Sequence, residues 1–208
     1  MSDQPGNRWD QRYQGADYLF GTSPNDFMVT AVQGLPPAKT LCLADGEGRN
    51  GVFLAGLGYQ VTSLDASAVG LAKAQLLANQ HNVSLETRLV DLTNEDLGDE
   101  SWDLIVSIFF HLPTAERRAL HQRIARALRP GGRVVLEAYT PAQLTFETGG
   151  PSRPDMLMTL PLLLADFSGL QVIYGVELER DIIEGAGHAG RSAVVQFVAE
   201  KPSLQGLG

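Results

Sequence analysis

The stretch that decides the fold is Leu41-Cys42-Leu43-Ala44-Asp45-Gly46-Glu47-Gly48-Arg49-Asn50-Gly51. Its first residues are a short apolar run and the rest a cluster of glycines, the pattern of a buried strand running into a tight turn. Gly46, Gly48 and Gly51 satisfy G-x-G-x-x-G, and residues 50–57 then read as a helix closed by Gly58. Residues 59–65 form the next strand candidate, and its last residue, Asp65, lies 19 residues beyond Gly46 (65 − 46). Strand, glycine turn, helix, strand and closing acid together suit a nucleoside: the backbone approaches the ligand closely and the carboxylate accepts the ribose hydroxyls. The plain alternative is an ordinary strand-to-helix turn with a solvated Asp65.

Outward from this unit the same alternation continues. Ser23-Pro24-Asn25-Asp26 reads as a helix start with Ser23 as cap, the helix running to about Gln33. Residues 67–81 read as a helix with Leu71, Leu76 and Leu77 inward, 85–91 as a third strand, and 103–109 as a fourth, apolar enough to be buried on both faces. Residues 114–128 form a helix that stops at Arg129-Pro130-Gly131-Gly132, with Arg117, Arg118, Arg123, Arg126 and Arg129 expected on its solvated side. A fifth strand spans 133–139. After a loop rich in Gly, Pro and Thr (140–159) and a short helix (160–167), strands 171–182 and 191–199 flank the glycine-rich loop 185–190. That loop leaves no room for a crossover helix, so the pair is expected as an antiparallel hairpin at one edge of the sheet. The chain is therefore expected to be α/β, with parallel winding and a ligand crevice at the strand C-termini.

Composition narrows the function. The chain has 208 residues, 44% of them hydrophobic, 24 acids against 16 Lys and Arg, and a net charge of −8. This suits one globular domain and disfavours a nucleic-acid partner. No apolar run reaches the length of a membrane span, and no signal peptide is legible, so a cytoplasmic location with no membrane partner is expected. The single cysteine, Cys42, excludes an internal disulfide and a multi-cysteine metal site, and no metal is expected. Neither a monomer nor a homodimer is favoured.

The choice of nucleoside rests on charge. A dinucleotide would place its pyrophosphate at the helix start, where Glu47 opposes it, and no P-loop Lys or Ser/Thr follows for ATP. S-adenosylmethionine has no phosphate, and acidic surroundings suit its sulfonium. Asp91, closing the third strand, is placed to accept from an adenine amino group with Leu92 against the ring; the alternative is a strand-end acid capping a turn.

These residues resemble the class I S-adenosylmethionine-dependent methyltransferases. The glycine motif, Asp65, Asp91, Asp103-Leu104-Ile105-Val106, Leu128-Arg129-Pro130-Gly131-Gly132-Arg133 and the terminal hairpin fall in that family's order. Trp9-Asp10-Gln11-Arg12-Tyr13, Gly21-Thr22-Ser23-Pro24-Asn25 and His188-Ala189-Gly190-Arg191 are similar to the small tellurite-resistance and thiopurine-type group. The resemblance implies a Rossmann-like three-layer sandwich with a seven-stranded, mostly parallel sheet of order 3-2-1-4-5-7-6 and an antiparallel strand seven. It implies one domain: a cofactor-covering segment (1–35), a cofactor-binding core (36–139), and a loop, helix and hairpin (140–208). Trp9, Tyr13 and Gly21, with Phe20 beside them, would cover the cofactor. Asp45, Gly46, Glu47, Gly48, Arg49 and Asn50 would form its turn. Asp65, Ala66, Ser67, Asp91, Leu92, Ser107 and Ile108 would line the rest. Ala44 stands where an acid is usual, which leaves backbone carbonyls, Asp45 or Glu47 to hold the methionine ammonium.

Methyl transfer from a sulfonium needs alignment and exclusion of water more than acid–base groups. The candidates are His111 after the fourth strand, Glu137 and Tyr139 on the fifth, and His188 and Arg191 at the hairpin, where the resemblance implies an oxyanion grip; Arg180 and Arg153 are weaker ones. The expected activity is methyl transfer from S-adenosylmethionine, leaving S-adenosylhomocysteine, to a small-molecule acceptor: on the resemblance, a thiol or a selenium or tellurium species, in detoxification. An NAD-dependent oxidoreductase and a non-catalytic adenosine-binding regulatory module are the rival readings.

Overall fold

The structure is a computed structural model and describes residues 5–146 and 148–203. Seven strands form one sheet in the order β3-β2-β1-β4-β5-β7-β6. β1 (Lys39–Leu43), β2 (Gln60–Asp65), β3 (Glu86–Leu89), β4 (Trp102–Ile108) and β5 (Leu128–Tyr139) run parallel. β7 (His188–Glu200) lies antiparallel between β5 and the edge strand β6 (Gln171–Glu184). The expected strand order and the antiparallel seventh strand are both present.

Side chains alternate across the sheet because successive Cβ atoms of a strand point to opposite faces. Leu41, Leu43, Ile105 and Leu136 pack with Leu120 and Ile124 of α5 (Thr114–Ala127) and Leu163 of α6 (Leu160–Asp166). Cys42, Leu104, Val106 and Val135 face the other way. There they meet Met28 of α2 (Asp26–Val32), Leu54 of α3 (Arg49–Gly56) and Ala74 and Leu77 of α4 (Ala68–Gln80). With both faces covered, the free rim is at the strand C-termini, and the winding reverses there between β1 and β4.

Several local expectations are corrected. Asn25, not Ser23, caps α2: its Oδ1 accepts from Met28 N at 2.9 Å. A helix, α1 (Pro5–Tyr13), occupies the N-terminal segment, to which the sequence reading gave no secondary structure. β5 begins at Leu128, because Leu128 pairs with Trp102 across a bulge and carries the Pro-Gly-Gly stretch into the strand. β6 and β7 extend to Glu184 and from His188, which leaves only Gly185-Ala186-Gly187 as the turn. Leu76 is 57% exposed, since the buried stripe of α4 runs through Leu71, Ala74, Leu77 and Ala78. Arg117 is buried rather than solvated. Its Nε donates to Asp166 at 3.0 Å, and His121 Nδ1 lies 2.9 Å from the same oxygen.

The glycine turn is the tightest part of the frame. Gly48, with φ +86°, caps α3 in the left-handed region, and a Cβ there would stand 2.5 Å from the Cβ of Ala74. Strain and overpacking add, so Gly48→Ala is expected to lose about 3 kcal/mol of unfolding free energy in urea. A loss under about 1 kcal/mol would show that the α3–α4 contact yields without cost.

Candidate functional site

A cavity of about 470 Å³ opens at the C-terminal rim of the sheet. That is within the usual range for small-ligand sites of about 300–1,000 Å³. Two of its wall residues leave their strands with left-handed backbone although they carry side chains: Ala44 after β1 (φ +49°) and Phe109 after β4 (φ +53°). Such strain persists only where surrounding structure holds it, and it concentrates at ligand sites.

One half of the cavity is acidic. Asp65, ending β2, accepts from Gly46 N and Ser67 N, both at 2.8 Å. Burial raises its pKa above the ordinary carboxylate value, against the pull of those N–H groups. Asp45 accepts from Ser63 Oγ at 2.6 Å and Gly51 N at 3.2 Å, which sets a carboxylate at the start of α3. Burial outweighs these hydrogen bonds and pushes Asp45 up to about 7. Asp91 accepts from the N–H and hydroxyl of Thr93 at 2.9 and 2.7 Å, so it caps its own turn while its exposed side chain lines the cavity. Ala66, Leu92, Asn50 and Ile108 complete this half.

The roof is α1 and the segment after it. Tyr13 is buried over the glycine turn, close enough that a Cβ on Gly46 would stand 2.6 Å from its hydroxyl. Trp9 stacks on Tyr13 at 5.5 Å, and the Arg12 guanidinium sits 4.6 Å over the Trp9 ring. Polar contacts pin the roof. Asp10 Oδ1 accepts from Ser67 Oγ (2.5 Å) and Val69 N (3.2 Å) at the start of α4. Lys73 Nζ donates to the carbonyls of Gly15 and Asp17 at 3.0 and 2.7 Å. Glu47 accepts from Leu19 N at 2.8 Å and pairs with Lys73, so it faces the roof and not the cavity.

The other half is aromatic. Phe109 stacks on Tyr139 at 4.6 Å, and His188 meets Phe20 and Phe109 at 4.4 and 4.7 Å. His111 spends both ring nitrogens inside the protein. Nδ1 lies 3.0 Å from Met156 O, and Nε2 accepts from Tyr139 N at 3.4 Å; burial lowers its pKa to about 4, so it is neutral. Glu137 is fully buried and does not line the cavity. It accepts from Arg180 (2.9 and 2.8 Å), Asn25 (2.6 Å) and Gln196 (2.7 Å). Arg49 lines the cavity, but its guanidinium is engaged by Glu184 at 2.6 Å and Ser23 O at 3.3 Å. Arg191 is half-exposed, lies 3.4 Å from Glu179, and is absent from the cavity wall.

Of the residues singled out from sequence, the structure gathers Trp9, Tyr13, Asp45, Arg49, Asn50, Asp65 and Ala66 around one cavity with Asp91, Leu92, Ile108, His111, Tyr139 and His188. Gly46, Gly48 and Ser67 shape it from behind through the contacts above. Gly21, Glu47, Ser107, Glu137 and Arg191 do not line it. Sequence reasoning missed Phe109, Arg12 and the Gly149-Gly150 pair, which lies against Tyr139. The doubled glycine in a long loop was the available signal for the last.

A methyltransferase-domain family profile matches residues 41–132. The chain is similar to the probable S-adenosyl-L-methionine-dependent methyltransferase TehB of Haemophilus influenzae, 35% identical over 80 residues. That match spans 38% of this chain and 28% of the relative's length. The TehB structure superposes with a TM-score of 0.70 at 20% identity, over 94% of this chain and 66% of that one. A protein solved for the conversion of a disulfide bond into a thioacetal group in echinomycin biosynthesis gives 0.77 at 19% identity, over 97% and 93%. The N-methyltransferase NodS of Bradyrhizobium japonicum, in complex with S-adenosyl-L-homocysteine, gives 0.73 at 13%, over 97% and 100%. At these identities the structural likenesses show the fold. Residues 41–132 thus match a methyltransferase-domain profile, within a chain whose fold is shared with solved methyltransferases.

Proposed function

We propose that this protein transfers a methyl group from S-adenosylmethionine to a small-molecule acceptor, with the described residues of the 1–35 segment covering the cofactor and those of 140–208 closing the acceptor side of the same domain. The observation that carries the reading is the Asp45 carboxylate at the start of α3, with Asp65 beside it. An NAD pyrophosphate would need that helix start, and an anion already caps it. A cation-bearing nucleoside without phosphate fits the same place.

S-adenosylmethionine, when bound, supplies a methyl group already activated on a sulfonium. Asp65 keeps lone pairs for ribose hydroxyls beyond its two backbone bonds. Asp45 is the acid nearest the turn and would hold the ammonium of the amino-acid tail. Asp91 and Leu92 would frame the adenine. Trp9 and Tyr13 exclude water from above, and their ring faces suit a sulfonium. The resemblance to the tellurite-resistance and thiopurine-type group adds a soft acceptor, a thiol or a selenium or tellurium species. A net charge of −8 supports a small molecule over a nucleic acid.

Calorimetric titration with S-adenosylmethionine, S-adenosylhomocysteine and NAD tests the cofactor. The two sulfur nucleosides are expected to saturate the protein and NAD to fail. Asp65→Ala is expected to weaken them about 10- to 100-fold, the cost of losing hydrogen bonds to a charged group. Binding of NAD alone would move the chain to hydride chemistry.

A pH dependence follows from Asp45. Its raised pKa means that it carries a proton below about 7 and must lose it to hold a cation. Affinity for S-adenosylhomocysteine is therefore expected to be full above pH 8 and to fall by up to about tenfold per unit below 7, with proton release on binding. Asp45→Asn is expected to flatten that slope. An unchanged slope in Asp45→Asn would remove Asp45 from the tail site.

A further inference from the structure

The half of the cavity built by β4, β5 and β7 points to a different acceptor from the soft one that the resemblance suggests. Among the nearby arginines, Arg49 pairs with Glu184, Arg153 with Asp155, Arg180 with Glu137 and Arg191 with Glu179, whereas Arg12 of the roof sits over the Trp9 and Phe20 rings without a carboxylate partner among the described residues. No cation of β4, β5 or β7 lines the cavity, so a doubly charged inorganic oxyanion entering there would have only the arginines of the roof to offset its lost hydration.

What the half offers is aromatic wall and two polar side chains without partners. Tyr139 Oη and His188 Nδ1 are buried and have no hydrogen bond among the described residues. The Tyr139 hydroxyl and the Nε2 edge of the His188 ring converge at Gly149. A Cβ added to Gly149 would stand 3.2 Å from both the Tyr139 hydroxyl and Cδ2 of His188, the ring carbon next to Nε2. Nε2 is bonded to nothing in the described protein, whereas Nδ1 faces the Glu184 carboxylate at 3.7 Å. Glu184 is held by Arg49 at 2.6 Å and Asn25 at 2.8 Å, and these contacts and His188 outweigh its burial and keep it ionised. Burial lowers the pKa of His188 against the pull of Glu184, so the imidazole is neutral at pH 7 and free to take a proton. A thiolate or a selenium or tellurium oxyanion arrives ionised and has no use for such a base; a hydroxyl does.

Building on the methyltransferase reading, we infer that the acceptor is a phenol: its ring lies against Phe20, Phe109 and Tyr139, and its hydroxyl meets Nε2 of His188, which acts as the general base. As the acceptor oxygen takes the methyl group, its O–H bond breaks and the proton passes to Nε2. The S–CH3 bond breaks with it, leaving a neutral thioether. Glu184 is a positioning residue that stabilises the imidazolium so formed. Tyr139 Oη donates to the acceptor oxygen.

The test uses the intact chain. 4-Nitrophenol, whose coloured phenolate reports its own ionisation, is titrated without cofactor. Catechol, thiophenol, selenite and tellurite are then compared as acceptors by S-adenosylhomocysteine formation. Expected results are a saturable change in the 4-nitrophenol spectrum that His188→Gln abolishes, and methylation of catechol. His188→Gln should cut catechol methylation about 100-fold, as loss of a general base does, and thiophenol methylation far less. Tyr139→Phe removes a hydroxyl that has no partner, so it should slow catechol turnover without lowering stability. Equal losses for catechol and thiophenol in His188→Gln would make His188 structural and overturn the assignment. Methylation of tellurite or selenite with phenols refused would overturn it too, while leaving the methyltransferase reading intact. Failure to bind S-adenosylmethionine at all would remove both.

Discussion

The two hydrogen bonds that Asp65 accepts, from Gly46 N and Ser67 N, hold the site together. They tie the exit of β1 to the exit of β2 and fix where α3 and α4 begin. Everything that lines the acidic half depends on this tie. It sets the glycine turn against Ala74 and places Asp45 within reach of Gly51 N and Ser63. It also presents a flat backbone surface on which Tyr13 rests. The arrangement costs desolvation of two carboxylates, Asp45 and Asp65, and both answer by a raised pKa. A fold spends such strain where a ligand is to be recognised, and a cationic ligand relieves it.

The acceptor side depends on a second buried assembly. Glu137 on β5, Arg180 and Glu184 on β6, Gln196 on β7, Asn25 before α2 and Arg49 on α3 share hydrogen bonds around two carboxylates. Asn25 hydrogen-bonds both acids, at 2.6 and 2.8 Å, while its side-chain oxygen caps α2, and Arg180 pairs with both as well. Buried charges of this kind add little net stability, but they are intolerant of misplacement. Their effect here is positional: they lock the hairpin end that carries His188 to the glycine turn that carries Arg49. The acidic and aromatic halves of the cavity are thereby held in one register, as the proposed in-line transfer requires.

The fold was legible because its signals are local and mutually consistent. The 41–51 stretch, Asp65 and the Pro-Gly-Gly turn each sit where a parallel winding needs them, and the short turn between β6 and β7 forces a hairpin. The residues that gather in the acidic half were legible for the same reason, since strand ends and the glycine turn fix their place. The errors arose where a residue's partner is distant in sequence. Glu137 and Tyr139 sit on a strand that stays in register to its end, but only Tyr139, the last residue, reaches the cavity; Glu137 is buried further in against Arg180, 43 residues on. Arg191 reads as a grip for an oxyanion until its strand register places it opposite Asp181 and beside Glu179. Glu47 is drawn to Lys73 of α4 and to Leu19 N in the segment after α1, partners 26 and 28 residues away that no local pattern announced.

In the proposed function the nucleoside occupies the acidic half of the cavity, clamped by Asp65 and roofed by α1. A crystal structure with S-adenosylhomocysteine bound tests it most directly. The account predicts ribose hydroxyls on Asp65, the ammonium beside Asp45, the adenine near Asp91 and Leu92, and Trp9 and Tyr13 closed above. A nucleoside found elsewhere, such as the open groove along Lys73 and Leu76, or one bound without contact to Asp65, would contradict it.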